Sequence, residues 1–354
     1  MIINNYEPIR FRFNFYYFSI LLFVLVSCSS ESNEQSSEPE IPPVVDTYKY
    51  VAVRNDGTLF EIGNETGAIK QVGKISEITF NLNFNTVTSS KSTTFMYERM
   101  PEIFPGDGPS TGFRGQICEL DNKTLESKCT ILDFSDPIFP EFAELIALDW
   151  DEQNQNLIGI VSEVDNESKE EPNYLVRIDP KTLTISYTGL QFEQSYIGST
   201  CLIGQTYYVS SRYDTFNRNP IFSKINLTDG TQDLIDISNL DQSPIVLSAN
   251  GDGKKILGFT WEYTPGLFNA SIPTVYDIGT GMFAELVPPM RLSLMQGFGK
   301  SFYNEKENEQ VVLIGNDTGT GILSYRSKEN TLKVVQLKPV KNDLSSLVAI
   351  LNVR

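Results

Sequence analysis

Hydrophobic and polar residues alternate in short runs along most of the chain from residue 47 onward. Typical runs are Ile221–Ile225 and Ile256–Trp261, which are rich in Ile, Phe, Leu and other strand-favouring residues. Asp, Asn and Gly clusters separate such runs. Runs of this length bounded by turn residues are typical of β-strands. The pattern therefore predicts an all-β chain over residues 47–354.

A turn with a threonine near its centre recurs between two of these runs. Its threonines are separated by 58, 58, 49, 49 and 51 residues. Turn-forming residues sit where the chain must reverse, so each occurrence predicts a β-hairpin. The six turns are Asn64-Glu65-Thr66-Gly67, Asp121-Asn122-Lys123-Thr124, Asp179-Pro180-Lys181-Thr182, Thr228-Asp229-Gly230-Thr231, Asp277-Ile278-Gly279-Thr280 and Lys328-Glu329-Asn330-Thr331.

Each repeat has room for about four strands. In one of them the runs Pro244–Ser248 and Ile256–Trp261 flank a turn over residues 250–255 and precede the hairpin. Repeats of this size with four strands are a signature of β-propellers. The segment SANGDGKKILGF resembles TolB-like and WD40-like repeats, and the turns IDPKT and YDIGTG resemble quinoprotein-like and YVTN-type propellers. This resemblance implies an architecture and no particular chemistry.

The two ends of the repeat region predict how the ring closes. Only two strands, over residues 48–54 and 58–62, fit before Thr66, and the apolar run Ser345–Val353 has no hairpin after it. We expect the C-terminal strand to complete the N-terminal blade and give a closed six-bladed β-propeller. The alternative, an open array, would leave an apolar sheet edge in solvent.

The N-terminal segment has the pattern of an export signal. Arg10 and Arg12 precede the apolar run Phe18–Val26, and Ser27 and Cys28 follow it. Leu25-Val26-Ser27-Cys28 resembles the lipobox of bacterial lipoproteins, which implies that residues 1–27 are a signal peptide and that Cys28 is acylated. The alternative is a permanent membrane helix, for which the uninterrupted apolar run is short.

Residues 28–46 are predicted to be a disordered acidic tether, because Ser, Glu and Pro dominate and few aliphatic residues are present. Ser29 resembles the outer-membrane sorting residue of proteobacterial lipoproteins. Glu31 and Glu34 fit either a solvated linker or the surface-export signal of Bacteroidota lipoproteins. The expected location is therefore the outer membrane, with a lipid anchor, on the periplasmic side or at the cell surface.

Composition excludes several functional classes. The chain contains no histidine, which excludes Ser-His-Asp and Cys-His catalysis and histidine-ligated metals. Its net charge of −17 repels phosphate backbones, so we expect no nucleic-acid partner. No glycine-rich phosphate loop is present, and the acidic segments 163–167 and 250–252 lack a complete calcium-loop spacing. We therefore predict no cofactor and no metal.

Three cysteines follow Cys28. Cys118 and Cys129 flank the turn at Thr124 at nearly equal distances, which places them opposite each other on the two strands of a hairpin. We expect a disulfide, because the compartment beyond the inner membrane is oxidising, although antiparallel pairing often strains such a bond and two thiols are the alternative. Cys201 lies in an apolar run and is expected to be a small buried core residue.

Candidate binding residues occur where the second strand of a repeat leads into the third, because those connections are long and unequal. Aromatic and charged residues there could contact a polar ligand, whereas the simpler interpretation is that loops are polar because they are solvated. The predicted ligand-binding residues are Arg99, Arg212, Tyr213, Trp261 and Glu262.

Two functions fit these observations. We favour a lipid-anchored recognition module that presents loops to a glycan, a peptide or an envelope protein. The alternative is a glycosidase-like enzyme, which would use two carboxylates and needs no histidine. The candidate carboxylates are Glu98, Glu163, Asp214, Glu262 and Asp317.

Overall fold

A computed structural model gives the fold of this chain, in which Val44–Arg354 forms one compact unit. In the described part of the chain, no helix has the length and apolar character needed to cross a membrane. Cys28 lies outside the described residues. The residues described are 43–78, 82–100, 114–140, 143–163, 172–192, 197–212, 220–238, 240, 244–262, 270–286, 292–293, 300–316, 319–338 and 347–354.

The strands form six antiparallel sheets, the blades of a β-propeller. Blades 1 to 3, with strands in sheet order, are β25 (Leu347–Val353), β1 (Lys49–Arg54), β2 (Thr58–Gly63), β3 (Ile69–Lys74); β4 (Leu82–Ser89), β5 (Thr93–Met100), β6 (Arg114–Asp121), β7 (Ser127–Ile131); and β8 (Ala143–Asp151), β9 (Asn156–Glu163), β10 (Asn173–Ile178), β11 (Ile185–Phe192). Blades 4 to 6 are β12 (Ile197–Ile203), β13 (Thr206–Arg212), β14 (Pro220–Asn226), β15 (Gln232–Ile235); β16 (Ile245–Ala249), β17 (Lys255–Glu262), β18 (Ala270–Asp277), β19 (Met282–Glu285); and β21 (Phe302–Asn304), β22 (Glu309–Asn316), β23 (Gly319–Arg326), β24 (Thr331–Gln336). The short β20 (Leu292–Ser293) pairs with β18 in blade 5.

The first strand of each blade lies innermost, around the axis of the ring. Each of these strands contacts the first strand of the next blade, in the order β25, β4, β8, β12, β16 and β21, and β21 contacts β25 again. The innermost strands thus form an uninterrupted circle. The predicted all-β, six-bladed propeller is confirmed.

The ring closes as the sequence predicts. The C-terminal strand β25 pairs antiparallel with β1, with Tyr50 opposite Val353 and Ala52 opposite Ile350. The backbones of Lys49 and Arg354 exchange two hydrogen bonds of 2.8 Å at the end of this pairing. β25 therefore supplies the innermost strand that the N-terminal blade lacks.

The six threonine turns all connect the third and fourth strands of a blade. In three of them the first residue is an aspartate that holds the turn. Asp121 Oδ1 accepts from the backbone amides of Lys123 and Thr124 at 2.8 and 2.7 Å, Asp179 makes the equivalent bonds, and Asp277 Oδ1 accepts from the amide of Thr280 at 3.0 Å. These bonds hold the pKa of all three carboxyls below the usual value. The recurring residues of these three turns thus follow from one local turn chemistry.

The first of the six turns is held by a residue that precedes the blade in sequence. It begins with Asn64, and Asp46 takes the place of the aspartate, accepting hydrogen bonds from the amides of Glu65 and Thr66 at 2.9 and 2.8 Å and from the Thr66 hydroxyl at 2.7 Å. The sequence assigns Asp46 to the tether. Its side chain instead belongs structurally to blade 1.

The hydrophobic core lies between neighbouring blades. Between blades 2 and 3, for example, Phe95 and Ile117 pack with Leu145 and Leu157, all buried. Equivalent buried clusters fill the other five interfaces, including the seam between blades 6 and 1. Each blade is thus stabilised chiefly by burying apolar surface against its two neighbours.

A disulfide links the third and fourth strands of blade 2. Cys118 in β6 and Cys129 in β7 lie directly opposite each other in the strand register, with their Cα atoms 4.0 Å apart. The Cys118 side chain is fully buried between blades 1 and 2, whereas Cys129 is partly buried. The bridge therefore ties the outermost strand of this blade to its core.

Leu351→Ala tests the closing strand against a matched control. Leu351 is fully buried in β25, so this substitution should lower the free energy of unfolding by about 2–5 kcal/mol. Leu234→Ala removes the same atoms from the outermost strand of blade 4, where the side chain is 69% exposed, and should change stability by no more than about 0.5 kcal/mol. Denaturant unfolding measures both values. Equal, small effects would show that β25 is dispensable.

The double substitution Cys118→Ala/Cys129→Ala should lower the free energy of unfolding by about 3 kcal/mol, because the bridge restricts the unfolded chain. Reductant should destabilise the parent protein by a similar amount and leave the double variant unchanged, which is the control. Mass spectrometry of unreduced peptides provides an independent check. Two free thiols in the protein isolated without reductant would contradict the bridge.

Candidate functional site

Neighbouring strands within each blade run antiparallel, so the propeller has two different ends. One end carries the connections between second and third strands, and we call it the loop end. The other carries the hairpins between first and second and between third and fourth strands, and we call it the hairpin end. The sequence places the binding site at the loop end.

At the loop end, Arg99 bridges two blades. It lies in β5, and its guanidinium is 3.6 Å from the carboxylate of Glu144 in β8 of the next blade. The Arg99 side chain is 31% exposed and that of Glu144 18%. The pair thus contributes to the contact between blades 2 and 3 while leaving part of Arg99 accessible to a partner.

The other predicted binding residues come from blades 4 and 5. The backbone of Arg212 pairs with Pro220, and Trp261 and Glu262 pair with Ser271 and Ala270. Arg212 and Glu262 are therefore the last residues of their second strands, Trp261 is the residue before the last, and all three lie at the loop end. Tyr213 lies outside the described residues.

Two of the candidate catalytic carboxylates can be placed with their side chains. Glu98 is buried, with 1% exposure, and accepts a 2.7 Å hydrogen bond from the Gln116 amide, which also donates to the carbonyl of Glu77. Glu163 is partly exposed at the end of β9. Asp214 and Asp317 lie outside the described residues, as does the side chain of Glu262. The contacts of Glu98 are those of a structural carboxylate.

A cavity of about 260 Å³ lies on the axis toward the hairpin end, and we call it the axial pocket. The innermost strands of all six blades contribute to its lining, mostly with residues near the ends of those strands. Its polar and aromatic lining includes Thr88, Ser89, Asp149, Trp150, Cys201, Ser248, Lys300, Ser301, Phe302, Tyr303 and Glu305.

An ion pair lies in the wall of the axial pocket. The Lys300 ammonium is 2.8 Å from Asp149 Oδ1 and also donates to the carbonyl of Leu148 at 2.9 Å. Asp149 Oδ2 accepts from the hydroxyls of Thr200 and Tyr207 at 2.6 and 2.9 Å. With side chains only 15% and 9% exposed, each charge depends on the other to remain in the interior.

Cys201 lies beside this ion pair as a free, buried cysteine, 5% exposed. Burial and the nearby charge of Asp149 raise the pKa of its thiol, so the thiol stays protonated at neutral pH. Among the described residues, no group of three or more Cys, Asp or Glu is placed to hold a metal ion. The arrangement can therefore offer hydrogen bonds from fixed positions, whereas a reactive thiolate is disfavoured.

A second cavity, of about 240 Å³, lies at the seam between blades 6 and 1. The buried carboxylate of Glu309 accepts hydrogen bonds from the hydroxyls of Tyr48 and Tyr50 at 2.7 and 2.8 Å and from the Ser324 hydroxyl. Burial raises the pKa of Tyr50, which keeps its hydroxyl a donor. This cluster joins β1 of the first blade to β22 and β23 of the last.

Sequence reasoning missed the axial pocket. Asp149 and Trp150 resemble ordinary residues at the end of a strand, and Lys300 lies outside the strands, in an isolated bridge with Ala349. The sequence contains one indication of the pocket, since polar residues occur at the ends of several predicted innermost strands. Only closure of the ring brings those ends together.

No protein-family model and no curated protein matches this chain. Solved structures with a similar fold include TolB from Acinetobacter baumannii, at 13% identity and a TM-score of 0.54 over 85% of this chain. The chain spans 65% of the length of that TolB. A putative 6-phosphogluconolactonase from Bacteroides fragilis is similar at 10% identity and a TM-score of 0.51, over 87% of this chain and 97% of its own. At such low identity the likeness is one of fold, and it confirms the expected resemblance to TolB-like propellers.

Proposed function

We propose that this protein is a lipid-anchored recognition module of the bacterial cell envelope, whose propeller binds a polar ligand or a partner protein. The observation that carries the proposal is the axial pocket, in which the innermost strands of all six blades meet. A site assembled from the strands of a closed ring is held more rigidly than one assembled from loops. Rigid sites lose little entropy when they bind.

The polar groups of the axial pocket favour binding over chemistry. Three donors already hold the Asp149 carboxylate, and the thiol of Cys201 is protonated. Groups whose positions and protonation are fixed can orient a ligand through hydrogen bonds. A general base, in contrast, needs an accessible lone pair near the proton that it removes.

The loop end is the proposed surface for a larger partner, such as a glycan, a peptide or an envelope protein. The last two positions of second strands in different blades include Arg99, Arg212, Trp261 and Glu262, and Tyr213 follows Arg212 in sequence. Arginine and aromatic residues are enriched among the residues that dominate interface energies. Two faces of one ring would then serve a small ligand and a larger partner.

The proposed location rests on Cys28 and the residues around it. A lipid on Cys28 would hold the protein at the membrane, and Ser29 favours sorting to the outer membrane, on its periplasmic side or at the cell surface. Acyl chains bind through the hydrophobic effect, and stable anchoring takes more than one chain. The acidic segment that follows would separate the propeller from the membrane.

Cys28→Ala should prevent acylation and release the protein from the membrane fraction. Incorporation of labelled palmitate and fractionation of the envelope measure the two effects. Ser27→Ala, which keeps a small residue before the cysteine, serves as the control and should remain acylated. Equal labelling of the Cys28 variant and the parent protein would refute the lipid anchor.

Trp261→Ala and Arg212→Ala test the loop end. If these side chains anchor a partner, each substitution should weaken its binding by about 2 kcal/mol. Lys91→Ala, in an exposed hairpin at the other end of blade 2, is the control and should leave binding unchanged. Calorimetry with the partner measures affinity, and a thermal melt checks the fold. Unchanged affinity in both variants would show that the partner does not bind at the loop end.

A further inference from the structure

We infer that the axial pocket binds a neutral, polyhydroxylated ligand about the size of one sugar ring. This inference rests on the proposed recognition function and names the ligand class of the same site. Size, charge, hydrogen bonding and the aromatic lining each restrict what the pocket can accept.

Size restricts the ligand first. The axial pocket measures about 260 Å³, which is below the roughly 300–1,000 Å³ typical of sites for drug-sized ligands. Most of its lining comes from innermost strands that pack against one another around the ring, so these walls cannot separate without breaking contacts between blades. A single small ring fits such a space better than a folded peptide.

Charge argues against an ionic ligand. Lys300 is the cation in the lining that the structure describes, and Asp149 already compensates it at 2.8 Å. Glu305 adds a second carboxylate at the exposed side of the pocket, and the chain as a whole carries −17. An anion would meet excess negative charge. A cation deep in the pocket would find the Asp149 oxygens already occupied by three donors and would have to leave the interior to pair with the exposed Glu305. A neutral ligand avoids both costs.

Two adjacent residues offer hydrogen bonds that the described protein groups leave unused. The Lys300 ammonium has three N–H donors, of which two are used by the carbonyl of Leu148 and the carboxylate of Asp149. The Ser301 hydroxyl is buried and has no hydrogen-bond partner among the described residues. Buried polar atoms normally have partners, which makes this hydroxyl a candidate ligand contact. Ligand hydroxyls can both accept from Lys300 and pair with Ser301.

The aromatic lining supplies the apolar part of the site. Trp150, Phe302 and Tyr303 contribute to the pocket wall. Trp150 is held in place because its ring stacks on Phe95, with centroids 5.6 Å apart, and its indole N–H donates to Glu152 at 2.7 Å. A sugar ring presents both hydroxyls and apolar C–H faces, so it can use the hydrogen-bonding groups and the aromatic side chains together.

The test measures binding of the purified full-length chain in detergent by saturation-transfer NMR and calorimetry. The neutral probes are glucose, galactose and N-acetylglucosamine. Glucuronate and glucose 6-phosphate are the anionic probes, glucosamine is the cationic one, and a neutral tripeptide is the non-sugar one. We expect binding of at least one neutral sugar and weaker or no binding of its charged counterparts and of the peptide. Preference for a charged sugar or for the peptide would overturn the ligand class.

Ser301→Ala locates the site. Removing an unpartnered hydroxyl should leave the fold intact and weaken binding of the neutral sugar by roughly 3- to 10-fold, the worth of one neutral hydrogen bond. Ser223→Ala is the matched control, because the Ser223 hydroxyl is also buried and without a partner among the described residues but lies in the third strand of blade 4. The control should bind as the parent does.

The outcomes separate this inference from the function on which it rests. Equal affinity in the Ser301 and Ser223 variants would place the sugar outside the axial pocket and overturn the inference, as would failure of every neutral sugar to bind. The proposed function is judged separately, by acylation at Cys28 and by the loop-end variants.

Discussion

Closure of the ring by β25 is the constraint on which the other features of this propeller depend. Each blade buries its apolar faces against two neighbours, so a missing strand at the seam would expose both β1 and the core between blades 6 and 1. The seam is reinforced by polar contacts, since Glu309 in blade 6 binds the hydroxyls of Tyr48 and Tyr50 in blade 1. Apolar packing and a buried polar cluster thus hold the same boundary.

The axial pocket is a product of this closure. Its ion pair joins Lys300, which bridges to β25, with Asp149 in blade 3, on the far side of blade 2. The contact between these two charges in the interior therefore depends on the relative positions of several blades. Removal of either charged side chain would leave the other buried without its counter-ion. The stability of the centre of the ring therefore depends on both residues.

The sequence predicts the fold well because the fold is encoded locally. Several threonine turns are held by bonds within a few residues, as at Asp121 and Asp179, so the turn recurs wherever the same residues recur. The closing strand could be inferred by counting strands at the two ends. The axial pocket could not be predicted, because Asp149 and Lys300 are 151 positions apart and no local pattern relates them. The sequence indicates that Arg99 lies near the end of a second strand, but its partner Glu144 belongs to another blade and only the structure shows it.

The pairing of β1 with β25 also constrains the order of events in folding. Tyr50 pairs with Val353, so the first sheet cannot be completed until a strand that follows all the others in sequence is available. Loop closure over such a separation is entropically costly and tends to make folding slow. Until then β1 presents an open apolar edge, which is the kind of surface that promotes association between incompletely folded chains. A chain of this topology gains most from folding conditions that keep nascent molecules apart until β25 has docked.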